Sequence, residues 1–139
     1  MASIEFFAFG TPVPKGSAKA FYNPRARKVV VMQDNADKQK PWASNVGCAA
    51  SQCMIGKPLM SGAIALYLRF YMPAPKKNKR RFPTCRPDLD KLIRCVKDAL
   101  TKVAWTDDSI VVKLDAAKEY GDRIGCDVRV SEIELGEAK

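Results

Sequence analysis

The sequence predicts an α+β domain in which a small mixed β-sheet carries two packed helices, and two segments carry most of this prediction. Residues 62–72, "GAIALYLRFYM", place a large apolar side chain at every second position, as a strand with one buried face does. Residues 88–103 repeat their apolar side chains with the helical period, which is typical of an amphipathic helix. Strand-like and helix-like segments follow one another in mixed order, and 139 residues is the length of one domain, 1–139.

The N-terminal part is predicted to be rich in strands. "IEFFAF", residues 4–9, is typical of a buried strand, and the turn-rich "TPVPKGS" begins after Gly10. Residues 20–32, "AFYNPRARKVVVM", predict a hairpin with Asn23 and Pro24 in its turn.

The first predicted helix has two alternative starts. Asp34 or Asn35 can cap it, but Pro41 lies inside that span, and proline is best tolerated in a first helical turn. The helix therefore begins either after the cap or at Pro41, and it ends before Gly56. Its apolar face comprises Trp42, Val46, Ala49 or Ala50, and Cys53.

Two further strands are predicted after the second helix. The first, residues 110–120, has one face made of alternate apolar residues: Ile110, Val112, Leu114 and Ala116. Residues 126–135 predict the other strand, which is broken in phase near Ser131. "GDRIG", residues 121–125, is expected to join the two as a hairpin loop.

Composition excludes several classes of function. The chain has no histidine, which removes the imidazole base, the Ser-His and Cys-His nucleophiles and most zinc chemistry. Its five cysteines are odd in number and never form C-x-x-C, which argues against a disulfide framework and a zinc site.

No segment is typical of a membrane span or a secretory signal, so we expect a cytoplasmic protein with no membrane partner. A formal net charge of +9 indicates a polyanionic partner, although many basic proteins bind nucleic acid only incidentally.

Four aspartates gather around the second helix of this basic chain. Asp88 and Asp90 stand at its start, and Asp107 and Asp108 come just after it. In a structural interpretation, the first pair caps the helix and interacts with its dipole, and the second pair belongs to a turn. In a functional interpretation, a short connection brings the second pair back beside the helix start, where four carboxylates would repel one another unless a cation held them. If the pairs lie apart, a DNA-coating domain without catalysis is the better description.

The chemistry of such a cluster follows from the residue types. Oxygen ligands without histidine or cysteine suit Mg²⁺ or Mn²⁺, which can activate a water and stabilise the charge that develops as a phosphodiester breaks. Arg94 follows Asp90 by four residues on the polar stripe of the helix, which continues to Lys97. Arg94 either forms a surface ion pair with Asp90 or contacts the scissile phosphate.

Residues 86–121, "RPDLDKLIRCVKDALTKVAWTDDSIVVKLDAAKEYG", resemble the catalytic core of RusA-like Holliday junction resolvases. The family pattern is D-L-D-N-L followed by a Lys, then D-A-L, then a D-D pair that enters a strand. The rest of the chain is similar more loosely, through an N-terminal strand, a "P-x-P-K-G" loop and a helix before a basic stretch. The resemblance implies a bacterial or phage homodimer that binds branched DNA, resolving four-way junctions by paired symmetric nicks during recombination and repair.

The resemblance also implies roles for individual residues. It makes three aspartates the essential ligands of Mg²⁺, which Mn²⁺ can replace, and gives a fourth lesser weight: Asp88, Asp90, Asp108 and, as the fourth, Asp107. Arg94 stands where the family has its catalytic Lys, and Lys91 stands where it has Asn. Because arginine cannot give up a proton, Lys97, one turn further on, is an alternative source of an ammonium group.

The basic run "KKNKRRF", residues 76–82, is either a solvated charge run or a loop that holds DNA. The second interpretation fits phosphodiester chemistry nearby, with Phe82 as a wedge or stacking residue. The candidate DNA contacts are Lys76, Lys77, Arg80, Arg81, Phe82, Lys15, Lys19, Lys91 and Lys97.

Two other classes compete with a resolvase. One is a non-catalytic nucleic-acid-binding domain, and the other is a nuclease of the P-D…(D/E)-x-K type, because Pro87 and Asp88 begin that motif. The second is weakened because the downstream (D/E)-x-K match, residues 137–139, lies beyond the last predicted strand.

Overall fold

The computed structural model describes residues 2–16, 18–23, 25, 27–33 and 36–134 as an α+β fold, which confirms the predicted class. In chain order its elements are β1 (Ser3–Phe9), β2 (Ala18–Asn23), β3 (Lys28–Gln33), α1 (Ala36–Cys53), β4 (Ile64–Met72), α2 (Leu89–Leu100), β5 (Val111–Tyr120) and β6 (Gly125–Glu132). The predicted hairpin is present, because β2 and β3 pair with each other as an antiparallel two-stranded sheet. Within the described residues, no helix is long and apolar enough to cross a membrane.

The main sheet has four strands in the order β1-β6-β4-β5. The antiparallel partners of β6 are β1 and β4, whereas β5 pairs with β4 in parallel and lies at the edge. The prediction that residues 121–125 close a hairpin is therefore wrong, since β4 lies between β5 and β6. The segment passes the end of β4, where the Gly121 amide donates to the Met72 carbonyl over 3.3 Å. Gly125 then enters β6 with φ 154°, and a Cβ there would collide with the Ala8 carbonyl oxygen.

One face of the sheet is covered by the helices and forms the core. β4 buries every second residue, as its pattern predicted: Ile64, Leu66, Leu68, Phe70 and Met72. Matching positions of the neighbouring strands and the inward faces of α1 and α2 complete the core, which also encloses Trp105. Burying each large apolar side chain contributes about 1.5–3 kcal/mol, so this layer fixes where α2 lies on the sheet. β1 is less buried than predicted, since Ile4 and Ala8 face the core while Phe9 is exposed.

Both helices differ from their predicted bounds. The alternative in which α1 begins at Pro41 is wrong, because Pro41 lies inside a helix that starts at Ala36. The predicted caps Asp34 and Asn35 lie outside the described residues. Helix α2 ends three residues earlier than predicted, because Thr101 is extended and Lys102 has φ 69°. A left-handed residue ends a helix even when it is not glycine.

The strand after α2 differs from the prediction in its apolar face. Ile110 belongs to a short 3₁₀ turn, Asp108–Ile110, instead of the strand. Val112 and Leu114 are 60% and 49% exposed, so this face is not buried along its first half. One reason is a register shift between β4 and β5, which places Val111 instead of Val112 opposite the buried Ile64, and the other is that β5 lies at the edge of the sheet. The start of β5 therefore exposes two large apolar side chains a few residues after the second aspartate pair.

Candidate metal and nucleic-acid site

The first aspartate pair lies at the start of α2. Asp88 occupies the N-cap position with φ −68° and ψ 138°, but its side chain makes no capping hydrogen bond. Asp90 lies in the first turn, and both residues are exposed. The structural interpretation of Asp88 as a side-chain cap is therefore not met, and its carboxylate is exposed at the helix start.

The second pair lies between α2 and β5. Asp107 caps the 3₁₀ turn by accepting hydrogen bonds from the amide and hydroxyl of Ser109. The Ser109 hydroxyl, followed by the amide, lowers the pKa of the Asp107 carboxyl below its ordinary value. Asp108 is half-buried, and its Oδ1 lies 2.8 Å from the hydroxyl of Thr101. Both side chains are thus held in place by the hydrogen bonds that they accept.

Thr101 links Asp108 to the end of α2. Its hydroxyl lies 2.8 Å from the Lys97 carbonyl and 2.8 Å from Asp108 Oδ1, and it accepts from Trp105 Nε1 over 3.2 Å. A hydroxyl has a single proton, so it donates to one of the two acceptors at a time. The Thr101 hydroxyl can therefore donate either to the Asp108 carboxylate or to the Lys97 carbonyl at the end of α2.

The two aspartate pairs lie at opposite ends of α2 within one chain. Asp108 contacts Thr101, just past the helix C-terminus, and the stretch from Asp88 to Thr101 spans roughly 20 Å at the helical rise. Strand β5 gives a second measure of the distance between the two aspartate pairs. Lys118 contacts the Pro87 carbonyl beside Asp88, and Val111 lies roughly 23 Å back along the strand.

The prediction that all four carboxylates converge within a chain is therefore wrong. The physical reason is the β4-α2-β5 crossover, because a helix that joins two parallel strands runs antiparallel to them and returns from their C-terminal ends to their N-terminal ends. Among the described residues, no group of three or more Asp, Glu and Cys side chains is close enough to hold a metal ion. The prediction that Asp88, Asp90 and Asp108 share an ion thus fails for a single chain.

The first pair nevertheless has the donor chemistry that a hard cation needs. Mg²⁺ is commonly bound by one or two carboxylates, with waters and substrate phosphate oxygens completing its shell. Two exposed carboxylates at a helix N-terminus, with no competing histidine in the chain, fit that description.

The segment before Asp88 is fastened to the C-terminal end of β5. Lys118 Nζ donates to the carbonyls of Cys85 and Pro87 over 2.6 and 2.8 Å. The Tyr120 amide donates to the Arg81 carbonyl over 3.0 Å, and Arg81 Nε lies 3.0 Å from Glu119 Oε1. The loop that leads into the first aspartate pair is therefore held at several points along its length.

The basic loop is braced by hydrogen bonds and exposes its basic side chains, of which Arg80 also donates to the Thr84 hydroxyl and Arg81 pairs with Glu119. Asn78 organises it by donating to the Arg80 carbonyl over 2.7 Å and accepting from the Arg80 amide over 3.1 Å. Lys76 and Lys77 are exposed, as is Phe82, which is 48% exposed with the Arg81 guanidinium 4.9 Å from its ring centre. Exposed basic side chains on a hydrogen-bonded loop suit a surface that contacts phosphates.

The remaining candidates fall into separate places. Arg94 is exposed on α2 and Lys97 is half-buried one turn further on, between the aspartate pairs. Lys15 forms an ion pair with Asp98, its Nζ 2.9 Å from Oδ2, and its amide donates to the Lys91 carbonyl. Its ammonium therefore joins the N-terminal loop to α2. Lys19 lies in β2 opposite Met32, and its side chain is outside the described part.

The two buried cysteines, Cys95 and Cys126, are poor nucleophiles. Burial raises the pKa of Cys95 to about 11 and raises that of Cys126 further still, so both thiols stay protonated at neutral pH. The described cysteines are all unpaired.

Exposed carboxylates at a helix start and a basic loop before it are two features that an enzyme acting on nucleic-acid phosphates needs, one to hold a cation and one to contact phosphates. Comparison with known families agrees with this class. The family model described as "Endodeoxyribonuclease RusA" matches residues 10–131, and the chain belongs to this family.

Two relatives show how the similarity is distributed. The chain is 32% identical over 145 residues to "Uncharacterized protein YqaN" of Bacillus subtilis (strain 168), covering 96% of this chain and 99% of the relative. It is 34% identical over 65 residues to "Crossover junction endodeoxyribonuclease rusA" of Lactococcus phage r1t, which covers 46% of this chain and 50% of the phage protein. The similarity to the phage nuclease is therefore confined to about half of each chain.

Sequence reasoning missed two residues of this region, Thr101 and Lys118. The signal for Lys118 was present, because alternation along β5 places it on the same face as Leu114 and Ala116. A lysine on an inward face must find hydrogen-bond partners. Thr101 carried a weaker signal, a hydroxyl directly after the last buried residue of α2.

Proposed function

We propose that this protein is a Mg²⁺-dependent, structure-selective endodeoxyribonuclease that resolves four-way DNA junctions by paired symmetric nicks. The observation that carries the proposal is the family match over residues 10–131, which includes both aspartate pairs and the basic loop. The exposed carboxylates of Asp88 and Asp90, unused by helix capping, support it.

The active site would be assembled from two chains. Each chain carries one aspartate pair at either end of α2, roughly 20 Å apart, so neither pair can complete the other in the same chain. A two-fold dimer in which the α2-β5 regions pack antiparallel would set the first pair of one chain beside the second pair of the other. Symmetry then supplies two identical sites, as two symmetric cuts require.

The surface for this dimer would be the edge formed by β5. Its first half exposes Val112 and Leu114, and strand edges of this kind favour pairing with another chain. The Arg69 guanidinium lies 2.8 Å from Asp115 Oδ1, which leaves the middle of the edge with balanced charge. We choose a second copy of the chain as the partner at this edge. In an antiparallel two-fold arrangement, the end of β5 near the first aspartate pair of one chain would lie beside the end near the second pair of the other.

The residues would share the work as follows. Asp88 and Asp90 from one chain and Asp108 from the other would hold the cation, with Asp107 beside them. The bound ion would activate water and offset charge on the phosphate. Arg94, exposed on the same helix, would contact the phosphate as a fixed cation that donates hydrogen bonds without transferring a proton.

Junction cleavage tests the proposal directly. With Mg²⁺, the protein should nick a four-way junction at two symmetric positions in strands of like polarity, and chelation with EDTA should stop the reaction. The measurement uses junctions labelled on each strand in turn, with a linear duplex of the same sequence as the control. If Mg²⁺ and Mn²⁺ both fail to support nicking while the junction stays bound, the protein is a non-catalytic nucleic-acid-binding domain. The separation of the aspartate pairs within one chain is the observation that favours this second candidate.

Neutralising the basic loop should weaken junction binding by reducing the electrostatic, salt-dependent contribution to the binding free energy. Changing Lys76, Lys77 and Lys79 to Ala should reduce the slope of log K against log salt concentration by up to about 2.7, at about 0.9 for each phosphate that the loop no longer neutralises. Fluorescence anisotropy without divalent ions measures the slope at several salt concentrations.

The matched control removes three exposed lysines elsewhere. Lys38, Lys40 and Lys57 lie on α1 and the turn after it, and changing them to Ala alters the net charge equally. We expect a smaller change of slope from this control. Equal changes from both variants would mean that the loop does not bind phosphates in its own right.

A further inference from the structure

Lys118 is a lysine on the helix-covered face of β5. It pairs in parallel register with Phe70, which is fully buried, so both side chains point to the same side of the sheet. An ammonium in such a place is stable only when its hydrogen bonds are made. Lys118 makes them to two main-chain carbonyls, those of Cys85 at 2.6 Å and Pro87 at 2.8 Å.

These two bonds act on the main chain of Asp88. The Pro87 carbonyl belongs to the peptide group that joins Pro87 to Asp88, so a bond to this oxygen fixes the plane that carries the Asp88 amide. On its other side, the Asp88 carbonyl accepts from the Leu92 amide over 3.1 Å, which begins α2. The main chain of Asp88 is therefore held from both directions, and its carboxylate moves only by side-chain rotation.

The geometry points to Lys118 as a positioning residue for the first aspartate pair, which acts through the Cys85 and Pro87 carbonyls and sets the affinity of Asp88 and Asp90 for a divalent cation. This inference rests on the proposed function for its catalytic consequence. The other contacts between β5 and the loop end at Arg81 and at the side chain of Cys85, whose sulfur lies 4.0 Å from the Tyr120 hydroxyl, and both lie further from Asp88 than the Pro87 carbonyl. Among the contacts of the described residues, Lys118 makes the side-chain bonds nearest to Asp88 from outside its own helix.

Substitution of Lys118 by Met tests the inference. Methionine keeps most of the side-chain volume and removes the charge and all donors, whereas Lys118→Arg keeps charge and donors and should rescue. Lys57→Met, in an exposed turn, is the control for the same substitution elsewhere. Three quantities are measured: amide hydrogen exchange at Leu92, the affinity for Mn²⁺ alone by electron paramagnetic resonance, and the Mg²⁺ concentration at half-maximal junction nicking.

In Lys118→Met we expect roughly tenfold or faster exchange at Leu92, because the charge-assisted hydrogen bonds that hold the turn are removed. We expect Mn²⁺ affinity to fall about tenfold, as for other residues that support metal ligands, with the Mg²⁺ midpoint rising equally and maximal nicking retained. Lys118→Arg and Lys57→Met should stay near the wild type. Exchange and Mn²⁺ affinity unchanged in Lys118→Met would overturn the inference. If the wild type binds Mn²⁺ but never nicks, the proposed function fails, while exchange and Mn²⁺ affinity still decide the role of Lys118.

Discussion

An Asp90→Asn variant should bind a four-way junction at least as tightly as the wild-type protein and nick it at least about 100-fold more slowly, a larger loss than residues supporting metal ligands usually show. Asparagine keeps the size of the side chain, so the first turn of α2 should form normally. It removes the negative charge, which weakens cation binding and at the same time reduces repulsion of the DNA phosphates. Single-turnover nicking in Mg²⁺ and binding without divalent ions measure the two effects separately.

Asp122→Asn is the matched control. Asp122 is exposed in the 121–124 segment, so the same loss of charge occurs outside α2 and outside both aspartate pairs. We expect wild-type nicking and a similar small gain in binding. Nicking by Asp90→Asn at the rate of this control would show that the Asp90 carboxylate takes no part in the reaction.

Local patterns in the sequence predicted the elements of the fold but not their pairing. The alternation in β4 is strong because both of its neighbours are strands and its inward face is fully buried. The predicted pairing of β5 with β6 was wrong, because a five-residue connection with Gly at both ends suits a hairpin as well as a passage across the end of the intervening strand β4. Strand order depends on contacts between distant segments, to which local periodicity does not respond.

The same limit explains the error in the candidate site. The residues were identified by spacing and type, and the exposed carboxylates of Asp88 and Asp90 agree with that choice. Their meeting with Asp108 was inferred from a short connection, whereas the direction of α2 is fixed by the parallel pairing of β4 and β5. Once that pairing is known, the two aspartate pairs must lie at opposite ends of β4 and β5.

A shared site between two chains has a consequence that a site within one chain cannot have. If Asp90→Asn and Asp108→Asn are each inactive alone, a heterodimer of the two should recover activity. One of its sites combines both altered aspartates, while the other combines the intact first pair of one chain with the intact second pair of its partner. Co-expression with two different tags isolates this heterodimer, which should carry about half of the wild-type number of active sites.

The product identifies the recovered site. On a supercoiled plasmid with an extruded cruciform, paired nicks give linear DNA, whereas one active site per dimer should give open circles. A heterodimer of Asp88→Asn and Asp90→Asn is the control, because both changes affect the first aspartate pair and every site in it is damaged. Recovery in the first heterodimer and not in the second requires that the two ends of α2 act across the dimer. An inactive first heterodimer that still folds and binds junctions would mean that the pairs do not share a site, and the distance between them within one chain would then count against metal-dependent cleavage itself.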